Sequence, residues 1–234
     1  MFISVVIPAY NEERCLGRCL QALRAQSYPV SRFEIIVVDN GSTDATADIA
    51  RRFGACIVPE PRKGVARARQ TGFEAARGEI IASTDADTTV PVFWLARIAA
   101  HFEADPDLGA VYGPVYWPDG RPVEQLALRY PATWVLWASN RVGRSLWWGS
   151  NFAMRREVFY AAGGFPVDWP SGEDTDLSLR VSRIATVRFD PDLTVHASSR
   201  RLRESWGRVM GRSTVNIVNR FVLRQPPLPM PDIR

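Results

Sequence analysis

Short runs of apolar residues alternate with segments of helical periodicity along the first half of the chain. The runs at residues 2–8, 33–38, 55–58 and 79–84 are rich in Val and Ile and are typical of buried strands. Between them, apolar residues recur three and four positions apart, as helices require. In the first such segment they are Cys15, Leu16, Cys19, Leu20 and Leu23. Strands that alternate with helices predict parallel βαβ units, with ligand loops at the carboxyl ends of the strands.

The same patterns predict the remaining elements. Helices are expected over residues 45–53, 63–76, 91–103, 123–142 with an interruption at Pro131, 154–161, 174–184 and 201–223, and strands over 108–115, 186–189 and 193–195. Asn11 is predicted to cap the first helix, and Thr43 or Asp44 the second. Residues 225–231 contain four Pro, which excludes a helix there.

Composition is that of a packed α/β protein. A length of 234 residues is enough for one sizeable domain. A hydrophobic content of 46% and a charged content of 23% are those of a packed protein. No apolar stretch of about 18 residues or more predicts a membrane span, and no secretory leader is recognised. We therefore expect a cytoplasmic protein, with peripheral contact to the inner membrane face left open.

Basic charge is concentrated at the C-terminal end. The net charge is +4, and from Arg200 onward eight Arg face only Glu204 and Asp232. Lys63 is the one Lys among 29 basic residues, so the high Arg count reflects residue usage. No nucleic-acid-binding motif accompanies it, and no nucleic-acid partner is expected.

The three cysteines are Cys15, Cys19 and Cys56. An odd and sparse set argues against a disulfide framework and is typical of a reducing compartment. Cys15 and Cys19 lie on one helix face, and we expect them to serve in packing.

Acidic residues follow two predicted strands and begin one predicted helix. Asp39 follows the strand over 33–38, Asp85 and Asp87 follow the strand over 79–84, and Glu173-Asp174 begins a later helix. Two carboxylates one residue apart at a strand end can face one point. A divalent cation fits there, because hard cations prefer oxygen ligands and keep substrate phosphate in their shell.

The order of these motifs resembles that of family 2 glycosyltransferases of the GT-A fold. The motifs are residues 4–13 (SVVIPAYNEE), 37–44 (VVDNGSTD), 85–87 (DAD) and 172–174 (GED). The resemblance implies a Rossmann-like, mostly parallel sheet flanked by helices, in a single domain over residues 1–200. Residues 1–115 would form its nucleotide-binding half and residues 116–200 its acceptor half. A basic C-terminal helix and Pro-rich tail would occupy residues 201–234.

The resemblance implies a nucleotide pocket around the loops after the first strands. Asp39 would accept a hydrogen bond from a ring N–H of the base, since an ionised carboxylate only accepts. Gly64 lets backbone approach a ligand. The other residues implied in nucleotide binding are Pro8, Ala9, Tyr10, Glu12, Lys63, Arg67 and Asp85.

A metal site and a general base are also implied. Asp87 would bind Mn²⁺ or Mg²⁺ directly, and Asp85 would contact ribose or reach the metal through water. His196 would be a further ligand, the alternative being a structural or diphosphate-contacting role. The cation would neutralise charge on the departing diphosphate. Asp174 resembles the base that deprotonates the acceptor hydroxyl, with Glu173 orienting or binding. The alternative for this pair is a purely structural acidic helix N-terminus.

Aromatic and basic residues complete the implied site. Trp148, Gly149, Ser150 and Asn151 would lie beside the donor sugar and the acceptor, and Arg200 and Arg201 would contact the diphosphate. The four residues Trp134, Trp137, Trp147 and Trp148 suggest either a membrane-facing surface or core packing.

The expected function is inverting transfer of one sugar from a UDP- or GDP-linked donor to a hydroxyl acceptor, free or lipid-linked. One alternative is a polyprenyl-phosphate glycosyltransferase at the membrane surface. Another is a module that binds nucleotide sugar without turnover. A nucleotidyltransferase and an NAD-dependent oxidoreductase are disfavoured, because no Gly-rich loop follows the first strand. The oligomeric state is left open.

Overall fold

The computed structural model describes residues 1–118 and 133–200. Within them, seven strands form one sheet in the order β3-β2-β1-β4-β8-β6-β9, and three short strands form a second in the order β5-β10-β7. The strands are β1 Ile3–Ala9, β2 Phe33–Asp39, β3 Cys56–Pro59, β4 Ile80–Ser83, β5 Thr88–Thr89, β6 Leu108–Tyr112, β7 Val115–Tyr116, β8 Phe152–Arg155, β9 Thr186–Phe189 and β10 Val195–Ala197.

Neighbours in the large sheet pair in parallel, except that β8 runs antiparallel to both β4 and β6. The expected mostly parallel α/β sheet is therefore confirmed. Strand β1 lies near its centre, and its apolar residues are buried on both faces, as in sheets covered by helices on each side. This is why its sequence is a continuous apolar run.

Two helix layers cover the sheet. The helices are α1 Leu16–Arg24, α2 Thr46–Arg52, α3 Val65–Ala75, α4 Trp94–Ala104, α5 over residues 133–141, α6 Arg156–Ala161 and α7 Glu173–Val181, with a 3₁₀ turn at Val30–Arg32. Helices α1, α2 and α4 pack on one face, and α3, α5, α6 and α7 pack on the other. The alternating side chains of β1 serve both layers, with Val5 on the first and Val6 on the second.

Helix α3 packs closely against the sheet at Gly72. A Cβ at Gly72 would sit 2.4 Å from Val6 Cγ1 and 2.7 Å from Val38 Cγ2, so only a residue without a side chain fits this contact. The close approach fixes the height of α3 above the strand ends. The helix carries Arg67 and Arg69 toward that edge.

The start of one predicted helix is wrong. Residues 154–161 were predicted as a single helix, whereas strand β8 extends to Arg155 and helix α6 begins at Arg156. The residues Phe152, Ala153 and Met154 are fully buried between β4 and β6. A short strand buried on both faces has no alternation, so periodicity does not separate it from a helix.

The predicted strand over residues 108–115 is broken into β6 and β7, which belong to different sheets. A Cβ at Gly113 would lie 1.9 Å from the backbone oxygen of Leu193, so the chain there passes close to another backbone segment. The last predicted strand is also displaced along the sequence: it was predicted over residues 193–195, and β10 spans Val195–Ala197.

Asn11 does not cap the first helix. Helix α1 begins at Leu16, after Cys15, and Asn11 has a left-handed φ of 53°. Asp44 does accept hydrogen bonds from the amide and hydroxyl of Thr46 at the start of α2. Polar residues near a helix start thus have more than one backbone partner available.

Trp147 does not belong to a membrane-facing surface. It is 2% exposed and stacks on Phe152 with ring centroids 5.1 Å apart. The core alternative is therefore the correct one for this residue.

Several predicted features lie outside the described residues: the helix over 123–132 with its interruption at Pro131, the basic helix over 201–223 and the Pro-rich tail. Across residues 1–118 and 133–200, no helix combines the length and apolarity needed to cross a bilayer.

We expect Gly72→Ala to lower the free energy of unfolding by about 1–3 kcal/mol, because its methyl group would overpack the contact with Val6 and Val38. Gly17→Ala is the matched control, since Gly17 is also helical and nothing lies within 4 Å of its Cβ position. That change should raise stability by up to about 1 kcal/mol through helix propensity. Urea unfolding of both variants measures the effects, and an unchanged or raised stability of Gly72→Ala would contradict the packing argument.

Candidate active site

The carboxyl edge of the large sheet gathers most of the predicted site residues. Asp39 ends β2 and pairs in register with Ala9 at the end of β1. Asp85 follows β4, the neighbour of β1 on its other side. Because β8 is antiparallel and Phe152 lies opposite Ser83, residues 148–151 enter the sheet from this same edge.

The loops after β1, β2 and β3 are held together around Asp39. Its Oδ1 accepts a hydrogen bond from the Ser42 amide at 2.9 Å. The Lys63 Nζ lies 3.3 Å from the centroid of the Tyr10 ring and donates to the carbonyls of Asn40 and Gly41 at 3.0 and 2.8 Å. Lys63 therefore joins the loops after β1, β2 and β3.

Asn40 organises the loop after β3, a role that was missed in the sequence. Its buried side chain donates to the carbonyls of Glu60 and Arg62 at 2.8 and 2.7 Å and accepts from the Gly64 amide at 2.8 Å. Gly64 has a φ of 138°, which favours glycine. The sequence signal that could have identified Asn40 was a side-chain amide directly after Asp39 at the end of a predicted strand.

The loops after β1 and β2 are cross-bonded. Asn11 Oδ1 accepts from the Thr43 amide at 2.9 Å, and the Asn11 amide donates to Ser42 Oγ at 3.0 Å. The Glu12 amide donates to Thr46 Oγ1 at 2.8 Å, and the Glu13 amide to an Asp44 carboxylate oxygen at 3.1 Å. Asn11, which was predicted to cap the first helix, thus fixes one wall of the candidate nucleotide pocket.

Glu12 and Arg200 form an ion pair with each other. Arg200 donates to Glu12 Oε2 at 2.8 Å, and the Glu12 side chain is buried. The Asp87 carboxylate contributes to a raised pKa of Arg200, after burial, which acts in the opposite sense, and after Glu12 and Cys15. Arg200 follows Ser198 by two residues, and the Ser198 amide donates to the Asp87 carbonyl at 3.1 Å, so the ion pair is connected to the acidic turn through the backbone. Arg201 lies outside the described residues.

Arg69 connects the two halves of the site and was not assigned from the sequence. Its guanidinium donates to Asp85 Oδ1 at 2.6 Å and also to Glu173 Oε1. The side chain of Arg69 is 5% exposed and that of Glu173 is 4% exposed. One buried cation thus joins the end of β4 to the start of α7.

The Gly149 segment packs against this ion-pair group. A Cβ at Gly149 would lie 2.2 Å from a guanidinium nitrogen of Arg69. The Gly149 amide donates to Asp174 Oδ2 at 2.7 Å, and its carbonyl accepts from Ser83 Oγ at 2.6 Å. The Thr175 amide donates to Asp174 Oδ1 at 2.7 Å. Backbone amides therefore orient both carboxylate oxygens of Asp174.

Three carboxylates surround one guanidinium, and their charges are not balanced. Burial alone would lower the pKa of Arg69, but Asp85, Glu173 and Asp174 raise it, so Arg69 stays protonated. Burial raises the pKa of Glu173, with Asp174 and Asp85 adding to the rise and Arg69 opposing it. Burial first, and the neighbouring negative charge after it, therefore favour the protonated form of Glu173.

The Asp85–Asp87 turn adjoins the strand that carries His196. The Ser198 amide donates to the Asp87 carbonyl at 3.1 Å, and His196 pairs in register with Thr89. The Cys19 thiol donates to the Asp85 carbonyl at 3.5 Å, and burial, followed by the charges of Asp87 and Asp85, raises the pKa of this thiol. Among residues 1–118 and 133–200, no three His, Cys, Asp or Glu side chains group closely enough to hold a metal.

This donor set fits a cation that takes part of its shell from substrate. Mg²⁺ in particular is bound through one or two carboxylates together with substrate phosphates and waters. Asp85 and Asp87 are the described carboxylates that could supply protein ligands to such a cation, and the predicted third ligand, His196, does not group with both of them. A closed protein cage is not needed for such a site.

The residues predicted beside the sugar and acceptor divide into two groups. Trp148 is half-buried and meets Trp117 edge to face, with ring centroids 5.8 Å apart. Asn151 is fully buried, accepting from Trp94 Nε1 at 3.0 Å and donating to the carbonyls of Pro114 and Leu193 at 3.0 and 2.6 Å. The prediction that Asn151 contacts the sugar or acceptor is therefore wrong, since its amide is used in the core. Ser150 is also buried.

The loop before α7 is attached to α3. Arg67 donates to Asp168 Oδ1 at 2.5 Å, and Gln70 Oε1 accepts from the Phe165 amide at 2.8 Å. Arg67, predicted on the nucleotide side, thus contacts the segment that leads to Asp174. The Asp176 carboxylate is paired with Arg180 at 2.7 Å.

Comparison with known proteins gives one family. The family model described as "Glycosyl transferase family 2" matches residues 4–163. Glycosyltransferase AglE of Haloferax volcanii is 41% identical over 102 residues, covering 41% of this chain and 34% of that protein. The probable glycosyltransferase YdaM of Bacillus subtilis is 30% identical over 207 residues, covering 81% of this chain and 49% of that protein. The chain spans about half or less of the length of these relatives.

Among solved structures, the mannosyltransferase PcManGT from Pyrobaculum calidifontis, in complex with GDP-Man and Mn²⁺, superimposes with a TM-score of 0.74 at 27% identity. The match covers 97% of this chain and 65% of that one. The two proteins therefore share the fold over nearly all of this chain.

We expect Glu173→Gln to change how stability depends on pH. Burial raises the pKa of Glu173 from 4.5 to about 7, so the folded protein holds this proton more tightly than the unfolded chain. The wild-type protein should therefore lose stability as pH rises through this window, and Gln, which does not titrate, should not share the loss.

Urea unfolding in EDTA at about pH 4.5 and about pH 7.5 brackets the window in which the loss is expected. The free energy of unfolding of Glu173→Gln, measured relative to that of the wild type, should be higher at about pH 7.5 than at about pH 4.5. Glu157→Gln, at an exposed Glu, is the matched control. A difference between wild type and Glu173→Gln that is the same at both pH values would contradict the prediction.

Proposed function

This chain belongs to glycosyl transferase family 2, and we propose that it transfers one sugar from a nucleoside diphosphate sugar to an acceptor hydroxyl. One observation carries the proposal. Through Arg69, the acidic turn after β4 is joined to the Glu173-Asp174 pair that begins α7. A donor-binding carboxylate and a candidate base thus face one region at the carboxyl edge of the sheet, where α/β proteins bind ligands.

The proposed donor is a GDP- or UDP-linked sugar. Asp39 has one carboxylate oxygen engaged by the Ser42 amide, and a carboxylate has acceptor capacity left for a ring N–H of the base. The complex of PcManGT with GDP-Man and Mn²⁺ supports a donor of this class. The nucleotide half is assigned to residues 1–115 and the acceptor half to residues 116–200.

A divalent cation, Mn²⁺ or Mg²⁺, is proposed at the Asp85–Asp87 turn, with His196 on the adjacent strand β10. When bound there, it would offset the negative charge of the departing diphosphate. Arg200, two residues after the Ser198 amide that donates to the Asp87 carbonyl, is proposed to contact the same diphosphate after release from Glu12. A guanidinium suits phosphate oxygens because it donates two parallel hydrogen bonds.

Asp174 is the proposed general base. Amides of Gly149 and Thr175 hold its two oxygens, which fixes the carboxylate without using all of its lone pairs. The acceptor hydroxyl gives its proton to Asp174 as its oxygen bonds to the anomeric carbon. The bond from that carbon to the diphosphate oxygen breaks on the opposite side, which inverts the configuration. The half-buried Trp148 and the neighbouring Trp117 offer apolar faces for the sugar or acceptor.

We expect Asp87→Ala and Asp174→Asn to separate donor binding from transfer. Asp87→Ala should abolish Mn²⁺-dependent binding of GDP-mannose and UDP-glucose, because it removes a proposed metal ligand. Asp174→Asn should keep donor binding and slow transfer by about a hundredfold or more, the scale of general-base catalysis. Calorimetric titration with Mn²⁺ or EDTA measures binding, and release of nucleoside diphosphate with a screened acceptor measures transfer.

Asp107→Ala and Asp107→Asn are the matched controls, because Asp107 is an exposed Asp in the loop before β6. If Asp87→Ala binds donor with unchanged metal dependence, the metal site is wrong. Near-normal transfer by Asp174→Asn would remove this residue from the role of base.

A membrane-borne acceptor is the second candidate, favoured by one exposed surface. Trp134 and Trp137 on α5 are 64% and 42% exposed, and the nearby Val142 is 71% exposed. Arg141 lies over the Trp137 ring at 4.9 Å, and residues 133–148 include no Asp or Glu. Exposed Trp beside Arg is typical of surfaces that rest on anionic bilayers. A polyprenyl-phosphate or another lipid-linked acceptor would then reach the site from the membrane.

We expect the protein to sediment with vesicles containing phosphatidylglycerol more than with phosphatidylcholine vesicles, and less at high salt, because Arg near an anionic surface contributes about 1 kcal/mol each. Replacing Trp134 and Trp137 together by Ala should remove most of this binding. The matched control is Phe93→Ala. Phe93 directly precedes α4 and is 66% exposed. Equal sedimentation of all three proteins, or none by the wild type, would contradict a membrane role for this surface.

A further inference from the structure

We propose that Arg69 is the positioning residue that sets the geometry of the acceptor side from the donor side. The inference rests on the proposed glycosyl transfer and deepens it. Arg69 acts through Asp85, Glu173 and the Gly149 segment, and no contact of its own with the reacting atoms is invoked. Its function is to hold the start of α7, and with it Asp174, at a fixed distance from the turn after β4.

The contacts of Arg69 come from three separate parts of the chain. Its two terminal nitrogens donate to Asp85 and to Glu173, which are 88 positions apart in the numbering of the chain. The Gly149 backbone packs against the guanidinium and donates to Asp174. A shift of this one planar group relative to the turn after β4 therefore moves the first residue of α7 and the segment that orients Asp174.

Charge makes the arrangement dependent on Arg69. Asp85, Glu173 and Asp174 all act on the same guanidinium, and two of these carboxyls belong to the first turn of one helix. Without a cation between them they would repel each other at short range, and Glu173 would be left buried without its partner. Removing one member of a buried ion pair typically costs about 3–5 kcal/mol.

The shape of the guanidinium matters as much as its charge. Arg presents several N–H donors in a rigid plane, so it reaches two carboxylates in fixed directions, whereas Lys offers one flexible ammonium group. Arg69→Lys therefore retains the positive charge and loses the simultaneous hold on Asp85 and Glu173. A role in charge balance alone would tolerate Lys, and a positioning role would not.

Gly149→Ala tests the same geometry without changing any charge. Its Cβ would occupy space 2.2 Å from one Arg69 nitrogen and 2.3 Å from the central guanidinium carbon, so the guanidinium must move. If both substitutions act by displacing this group, their effects on transfer should not add in the double variant. Non-additivity of this kind is what residues in contact show in double-mutant cycles.

The test compares wild type, Arg69→Lys, Gly149→Ala, the double variant and Arg77→Lys. Arg77 forks onto Glu34 at the opposite end of the sheet and is the control for loss of an Arg–carboxylate pair. The probes are GDP-mannose and UDP-glucose with Mn²⁺. Donor affinity is measured by calorimetric titration, and kcat and KM are measured by nucleoside diphosphate release, both with the screened acceptor and with water alone.

Arg69→Lys should bind donor within about threefold of wild type and lose about a hundredfold in kcat, the scale of a misplacement near 1 Å. Gly149→Ala should show the same split, the double variant should be no worse than the more impaired single variant, and Arg77→Lys should match wild type. If Arg69→Lys is unstable, Gly149→Ala and its kcat decide the question.

Two contrary outcomes are distinguishable. The positioning role alone would be overturned if the wild type is active and either Arg69→Lys or Gly149→Ala behaves like Arg77→Lys. Additive losses in the double variant would overturn it as well. A wild type that binds neither nucleotide sugar would overturn the proposed function, and this inference with it.

Discussion

The site depends on one buried cation that compensates an excess of negative charge. Arg69 stands among Asp85, Glu173 and Asp174 at the point where a strand end, a helix start and a returning loop meet. Burying a carboxylate is costly unless it is paired, so the positions of these three acidic groups follow from the position of the guanidinium. That position in turn follows from α3, which lies on the sheet at a height set by Gly72.

The sheet topology supplies the rest of the arrangement. Parallel strands β2, β1 and β4 deliver their loops to one edge, and the antiparallel β8 delivers the Gly149 segment to that same edge from the opposite chain direction. Asn151 anchors this segment in the core through Trp94, Pro114 and Leu193. A residue can therefore lie one or two positions from a catalytic surface and still serve only to fix the backbone.

Local features of the fold were predictable from the sequence, and long-range ones were not. The strands of the first half and helices α3, α4 and α7 follow from periodicity, because each has a clear apolar face or a continuous buried run. The end of strand β8 was predicted as helix because a strand of four residues, three of them fully buried, carries no period. The acidic motifs were found through their order along the chain. Arg69 was missed because its partner Glu173 is 104 residues away, and no short motif records such a pairing.

The crossed hydrogen bonds between the loops after β1 and β2 have a consequence for how donor preference can change. Asn11 and Thr43 fix one loop against the other, so their conformational entropy is already lost on folding and the wall near Asp39 is preorganised. The same hydrogen bonds couple residues 11–13 to residues 42–46. Under the proposed function, a substitution in either loop would therefore change the support of the other and with it the wall around the base.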